Sequence, residues 1–487
     1  MSEVKSVINK KPLSYWIHSA VCVIVMFGFG YLPPLGGDIT QFGMQVLGIF
    51  IATFYGWIFI EFTWPSLLGI VALGITQYNT IGGSFIEGFS NDNTVNIILM
   101  FIFAAYLEKT GCLKWITLWL ISRKSLVGKP WIFTMVFMCA IIPISMFINI
   151  YAGIIMLWAM FATICDTVGY TKKDMYVTYV CAGIAQIGGI VAICFPFQPF
   201  AQLVFSLAGP AVGITEIPFI QWSLMGIVTL FVFPFTYFIL GKFILRVDAS
   251  KLATMGDEFA KYRNIKMNPE QKFGLLLLCL FIVIIVMPTV TSGSIQAFFN
   301  NFNIQGAALF CLVLAFLYQM YSGEKLYSFG DMVANGVSWD LVILFIVTFP
   351  LCTAMESEEA GVISTVIGII MPVVNAVSPM VFLILVCVIF CLCTQVAHNL
   401  VLIIALMPSI AQICVNVGID PIMFAIVFCL CMLTSTATPA ASANTAMVFG
   451  HTHWVERKYA FIVGVGNLAI WLLTEICILI PLGFLVF

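Results

Sequence analysis

Charge is what this sequence lacks. Of 487 residues, 9% are Asp, Glu, Lys or Arg, against about 25% in a soluble domain. The formal net charge is −2, so no basic surface points to nucleic acid. No Cys/His spacing fits a zinc site; no metal is expected, and nothing calls for a cofactor. The 16 cysteines lie inside apolar runs, as in Cys391-Leu-Cys393 and Cys429-Leu-Cys431, where they read as small buried hydrophobes. No small-residue cleavage site follows Lys5, Lys10 and Lys11, so the first apolar run is expected to remain as a helix. Catalytic groups are also missing. His18, His451 and His453 fall near helix ends, and mid-span His398 has no carboxylate neighbour in sequence. An enzyme is not expected.

Hydrophobic residues make up 62% of the chain and mean hydropathy is +1.09. A span needs about 20 apolar residues, so there is room for roughly ten to fourteen. In the first half they fall near 14–32, 42–61, 64–78, 94–108, 131–165, 176–208 and 218–245. In the second they fall near 273–290, 305–321, 339–356, 362–395, 399–417, 421–449 and 459–485. The run 362–395 is expected to break near Ser378-Pro379. Residues 247–272 are the most polar stretch and read as a midpoint linker.

The halves echo each other. Gly88-Phe-Ser90 and Gly336-Val-Ser338 lie 248 residues apart, as do Asp92 and Asp340, and Glu108 and Glu356. Asn149 and Asn399, each mid-run, lie 250 apart. Ordered pairs of this kind indicate duplication, a common plan in secondary transporters. Lys and Arg mark cytoplasmic loops. Loops 109–130 and 166–174 flank Asn149 and hold seven of them; loops 357–380 and 416–421 flank Asn399 and hold none. Residues 242–272 hold seven more. The repeats therefore read as inverted, with the first key stretch entering from the cytoplasm, the second from outside, and the N-terminus cytoplasmic.

Met146–Ala152 (MFINIYA) and Val396–Ile403 (VAHNLVLI) are the two key stretches. Residues 131–165 as one helix would be about 52 Å long, against a hydrocarbon core of about 30 Å. With both flanks basic, a re-entrant hairpin with its tip near 147–149 fits. Its second arm would begin at Asn149 and aim free N–H groups at the tip, a setting that favours an anion. The same reading holds at Asn399. Two ordinary spans, with each Asn as interhelical glue, remain an alternative. Two further stretches should interrupt helices at mid-span. One runs from Gln186-Ile-Gly188-Gly189 to Cys194-Phe-Pro196-Phe-Gln198-Pro199, the other from Thr434 through Thr438-Pro439 to Asn444-Thr445.

These motifs, in this order over nearly the whole chain, resemble the divalent anion–sodium symporter (DASS) family, which includes INDY-type dicarboxylate carriers. The resemblance implies an all-α polytopic membrane protein with inverted repeats, two re-entrant helical hairpins and broken transmembrane helices, an elevator-type ion transporter fold. It implies a homodimer in the plasma membrane. A scaffold domain would comprise 12–125 and 272–356, and a transport domain 131–246 and 362–487, with 247–271 as cytoplasmic linker. It also implies that Asn149 and Asn399 bind substrate carboxylates, and that Thr438 and Pro439, with Pro196 in the first repeat, line the same site. Sodium-coupled members carry Ser-Asn-Thr at both tips. Here the tips read Ile148-Asn149-Ile150 and His398-Asn399-Leu400. Hydrocarbon side chains cannot ligate a hard cation. The expectation is sodium-independent exchange of C4/C5 dicarboxylates (2-oxoglutarate, malate, succinate), with His398 supplying positive charge beside the bound anion. The alternative is a proton- or sodium-coupled dicarboxylate or tricarboxylate (citrate) symporter.

Overall fold

In a bilayer each backbone N–H and C=O must be paired within the chain, which selects helices from long apolar runs. The computed structural model describes residues 11–147, 150–214, 216–254, 266–323, 328–374, 376–395 and 398–487. Every regular element among them is helical, and eleven helices are long and apolar enough to cross a membrane. This is an all-α polytopic membrane protein. Local signals set the helix starts. Thr40, Thr80, Asn268, Ser328, Ser378 and Asp420 accept first-turn N–H groups, and prolines open Pro130–Cys139, Pro199–Ala208, Pro379–Cys393 and Pro421–Leu433.

The run 362–395 is two helices, Val362–Val374 and Pro379–Cys393, divided where Ser378-Pro379 predicts. The run 64–78 is corrected. It is helical only over Thr63–Leu73, about 16 Å, because Gly74 brings the chain against the backbone of Ile81, where Ile81–Ser90 begins.

The chain divides into two compact units. The smaller holds residues up to Thr94 together with Trp339–Val373. Within it Trp339–Glu356 packs against Gln41–Phe59, Thr63–Leu73 and Ile81–Ser90. Gly88 makes one of these contacts possible, since a Cβ there would lie 1.9 Å from the Ile346 carbonyl oxygen. The larger unit holds Val95–Ser338 and Val374–Phe487. There Gly336 packs on the Ala105 methyl, which a Cβ in its place would meet at 2.3 Å. The two glycines of the echoed Gly-x-Ser motif thus do the same work.

The repeat extends through the larger unit, element by element. A hairpin (Pro130–Cys139, Ile141–Phe147, then Ile150–Val168) is followed by a broken helix (Met175–Cys194, Pro199–Ala208). A closing helix, Phe219–Ile239, runs into the π-helical turn Leu240–Ile244. In the second half the hairpin is Pro379–Cys393 with Asn399–Asn416, and the broken helix is Pro421–Leu433 with Ala443–Gly450. The closing helix, Arg457–Thr474, runs into the π-helical turn Glu475–Leu479 and then Ile480–Val486. The linker's first residues lie against the base of the first hairpin. Lys251 pairs with Asp174 at 2.8 Å, and the Tyr170 hydroxyl donates to the Asp248 carbonyl at 3.3 Å. Partial burial opposes the Asp174 charge, but hydrogen bonds from Lys251 and from the Thr171 N–H and hydroxyl outweigh it and hold the carboxyl below its usual range.

Candidate functional site

Each broken helix exposes backbone groups that its own turns no longer satisfy, and neighbouring side chains fill those valences. In the first repeat Trp222 Nε1 donates to the Ile193 carbonyl at 2.7 Å. The Gln202 side chain donates to the Pro196 carbonyl, and its amide oxygen faces Asn96 Nδ2 at 3.5 Å. In the second, Trp471 Nε1 donates to the Leu430 carbonyl at 3.2 Å. Thr445 Oγ1 donates to the Ser435 carbonyl at 2.7 Å.

Glutamines tie each break to its own hairpin tip. At the first, Gln198 Nε2 donates to the Met146 carbonyl at 2.5 Å, and Phe147 stacks on Phe197 with centroids 5.5 Å apart. Pro196 is buried in this cluster and Ile150 half-buried. Ile148 and Asn149 lie outside the described residues. The second tip is seen more fully. Gln395 Oε1 accepts the Ala437 N–H at 3.0 Å, Gln395 Nε2 reaches back to the Cys391 carbonyl at 2.8 Å, and the Thr438 hydroxyl donates to the Gln395 carbonyl. Asn399 N–H donates to the Ala441 carbonyl at 3.0 Å.

His398, Asn399, Leu400, Thr438 and Pro439 are therefore brought together by the second tip and second break. Asn399 is buried at 6% exposure, His398, Leu400 and Thr438 are half-buried, and Pro439 is exposed. The Leu400 N–H donates to Asn399 Oδ1 at 2.7 Å and to His398 Nδ1 at 3.3 Å. His398 thus caps the start of Asn399–Asn416. An imidazole accepting at Nδ1 carries its proton at Nε2, so the ring is neutral in this arrangement. Asn399–Asn416 begins where the sequence places it, and the first-repeat arm is helical from Ile150.

The Gly188-Gly189 pair does not break its helix, contrary to the sequence reading. Both residues lie inside Met175–Cys194, and the interruption comes at Phe195–Gln198. The pair serves close packing instead. A Cβ at Gly188 would sit 3.0 Å from Ile141 and Ser145 of the first hairpin, and one at Gly189 would sit 2.6 Å from Asn444 Nδ2 of the second break. The same helix sends Gln186 Nε2 to Thr445 Oγ1 at 3.2 Å, while Asn444 Nδ2 faces the Ala185 carbonyl at 3.5 Å. This helix is the frame common to both clusters. Gln395 and Gln202 were not singled out in the sequence. Their signal is an amide inside an otherwise apolar run, the same signal that marks Asn399.

Chemically, the arrangement offers amide and imidazole donors and helix starts inside a membrane unit, suited to holding a small anion rather than to making or breaking bonds. Fold and site together define a secondary transporter. The citrate transporter family model matches residues 46–429, most of the chain, and the chain belongs to that family. Among solved structures it is similar to the Alcanivorax borkumensis YdaH transporter, described as having an unusual topology, with TM-score 0.60 and 14% identity over 82% of this chain and 87% of that one. At that identity the likeness concerns the fold. No curated protein matches.

Proposed function

We propose that this chain exchanges C4/C5 dicarboxylates such as 2-oxoglutarate, malate and succinate across the plasma membrane without sodium, as an INDY-type carrier. The observation that carries the reading is the second tip. A buried amide, Asn399, stands between a histidine and a leucine, with its N–H on the Ala441 carbonyl and with Gln395 tied to Ala437 and Thr438 beside it. Neither Leu400 nor Ile150 offers oxygen to a sodium ion. Asn149 and Asn399 take the substrate carboxylates, and Ile148, Ile150, Leu400, Pro196, Thr438 and Pro439 form the surrounding wall. The moving part is 131–246 with 362–487, working as an elevator against a dimeric scaffold of 12–125 and 272–356. The repeats are inverted, with the N-terminus cytoplasmic. Vesicles preloaded with dicarboxylate are expected to take up labelled dicarboxylate equally in sodium and in choline. Strict sodium dependence would refute the sodium-free reading, and equal uptake into empty vesicles would refute exchange.

The family match favours a second reading, in which a tricarboxylate such as citrate is the substrate. Citrate in the same counterflow panel separates the two.

His398 contributes through its charge. A dianion beside the ring favours a second proton, which ends acceptance at Nδ1 and leaves the Leu400 N–H to Asn399 Oδ1. Substrate affinity of the wild type should weaken as pH rises, because the protonated ring is the better partner. His398→Gln keeps a donor but cannot charge, so it should bind more weakly and without that pH dependence. Parallel affinity profiles would leave His398 as a backbone cap only.

A further inference from the structure

Glu475 opens the π-helical turn in the last span. Its side chain is 0% exposed, and among the described residues neither carboxylate oxygen has a partner in ordinary hydrogen-bond geometry, Cys431 being the nearest donor. The elements around it supply no countercharge. Pro421–Leu433 turns the Cys429 and Cys431 thiols toward it, and the hairpin arm Pro379–Cys393 turns those of Cys387 and Cys391. Neither helix contains Lys, Arg or His. Cys431 Sγ already donates to the Cys387 carbonyl at 3.3 Å, and Cys391 Sγ lies 3.8 Å from the Cys431 carbonyl. The nearest basic side chains of its own span, Arg457 and Lys458, begin that span, about 25 Å away along the axis.

The first repeat shows that the fold does not require an acid there. Its matching π-helical turn, Leu240–Ile244, opens with Leu240, buried at 1% exposure. A hydrocarbon fills the same place in the same kind of turn. A carboxylate this deeply buried with no countercharge is strongly disfavoured, so the group holds a proton in this conformation. Ionisable residues inside spans belong to transport pathways and proton relays, and π turns recur at functional sites.

The position also reaches the second tip. Cys391, facing Glu475, offers its carbonyl to Gln395, whose own side chain and carbonyl hold Ala437 and Thr438. Charge appearing at Glu475 would act on the frame that seats Asn399.

We propose that Glu475 is a proton-binding site, loaded and emptied in step with the transported anion. Each crossing then carries proton and anion together, and a carrier deprotonated at Glu475 does not cross. This goes beyond the exchange reading, and its coupling part rests on it; proton occupancy does not. Infrared spectra of the purified chain should therefore contain a protonated-carboxyl band that Glu475→Gln lacks and that fades as pH is raised. Counterflow is then measured at saturating labelled succinate and, in parallel, citrate, with equal pH on both sides. Saturation removes the contribution of His398, which acts on affinity. The wild-type rate should fall by about tenfold for each pH unit once Glu475 ionises. Glu475→Gln, a neutral mimic, and Glu475→Leu, the residue of the other repeat, should exchange at a rate independent of pH. An infrared band that is missing, or that does not change with pH, overturns the proposal. So do a flat wild-type profile, variant profiles parallel to the wild type, and loss of exchange at every pH in both variants. Wild-type protein that moves neither acid would refute the carrier reading and leave the infrared result standing.

Discussion

Asn399→Ala is expected to abolish measurable counterflow while leaving a folded protein. The side chain is buried at the start of Asn399–Asn416, and its carbonyl oxygen accepts the Leu400 N–H at 2.7 Å. That oxygen is engaged, which leaves the amide N–H₂ as the donor for a carboxylate. Removing a hydrogen bond to a charged group costs about 1.5–3 kcal/mol, roughly ten- to a hundredfold in affinity. The backbone should tolerate the loss, because His398 Nδ1 also accepts the Leu400 N–H and Asn399 N–H keeps the Ala441 carbonyl. Binding measured directly, beside a thermal melt, separates lost affinity from lost fold. Asn149→Ala is expected to behave alike, as the counterpart 250 residues earlier. Wild-type affinity in both variants would reduce the asparagines to interhelical glue.

Asn399 also illustrates what sequence reveals. A polar residue in an apolar run stands out, because burying it costs free energy unless a partner is found. The tips, the split at Ser378-Pro379 and the break at Thr438-Pro439 were legible for this reason. So was the duplication, since Gly88 and Gly336 are both fixed by close packing, against the Ile346 carbonyl and the Ala105 methyl, rather than by chemistry. The Gly188-Gly189 pair misled for the opposite reason. Glycine marks either a break or a close contact, and only the neighbours decide which. Here Ile141, Ser145 and Asn444 fill the space. The short helix Thr63–Leu73 was likewise hidden, since apolar residues continue past the turn at Gly74. Glu475, a lone acid inside the run 459–485, has no acidic echo in the first half to single it out. Its burial and the matching leucine at position 240 emerge only from packing.

Close approach to a break sets the second large effect. Gly464 lies in Arg457–Thr474 where that helix passes the second break, and a Cβ there would meet the Thr436 carbonyl oxygen at 2.1 Å and its carbon at 2.7 Å. The Thr436 hydroxyl also donates to the Gly464 carbonyl at 2.7 Å. Both obstacles are backbone and cannot rotate away. Gly226 in Phe219–Ile239 repeats the arrangement at the first break, where a Cβ would lie 1.7 Å from the Cys194 carbonyl oxygen. At Gly466, two residues on, a Cβ would meet the end of the Leu240 side chain, at 2.9 Å. Gly464→Ala and Gly226→Ala should therefore displace the breaks. Overpacking of this kind costs about 1–3 kcal/mol or more, exceeding the roughly 1 kcal/mol that alanine adds to helix propensity. Gly466→Ala should gain that propensity and lose little, because leucine can change rotamer. The expected outcome is a lowered melting temperature and at least a tenfold loss of counterflow in the first two variants, against wild-type behaviour in the third. Thr438 and Ala441, which seat the second tip, follow within five residues of Thr436, so a shift there moves Asn399 as well. Equal transport in all three variants would show that the breaks tolerate displacement, and that the tips are not positioned through them.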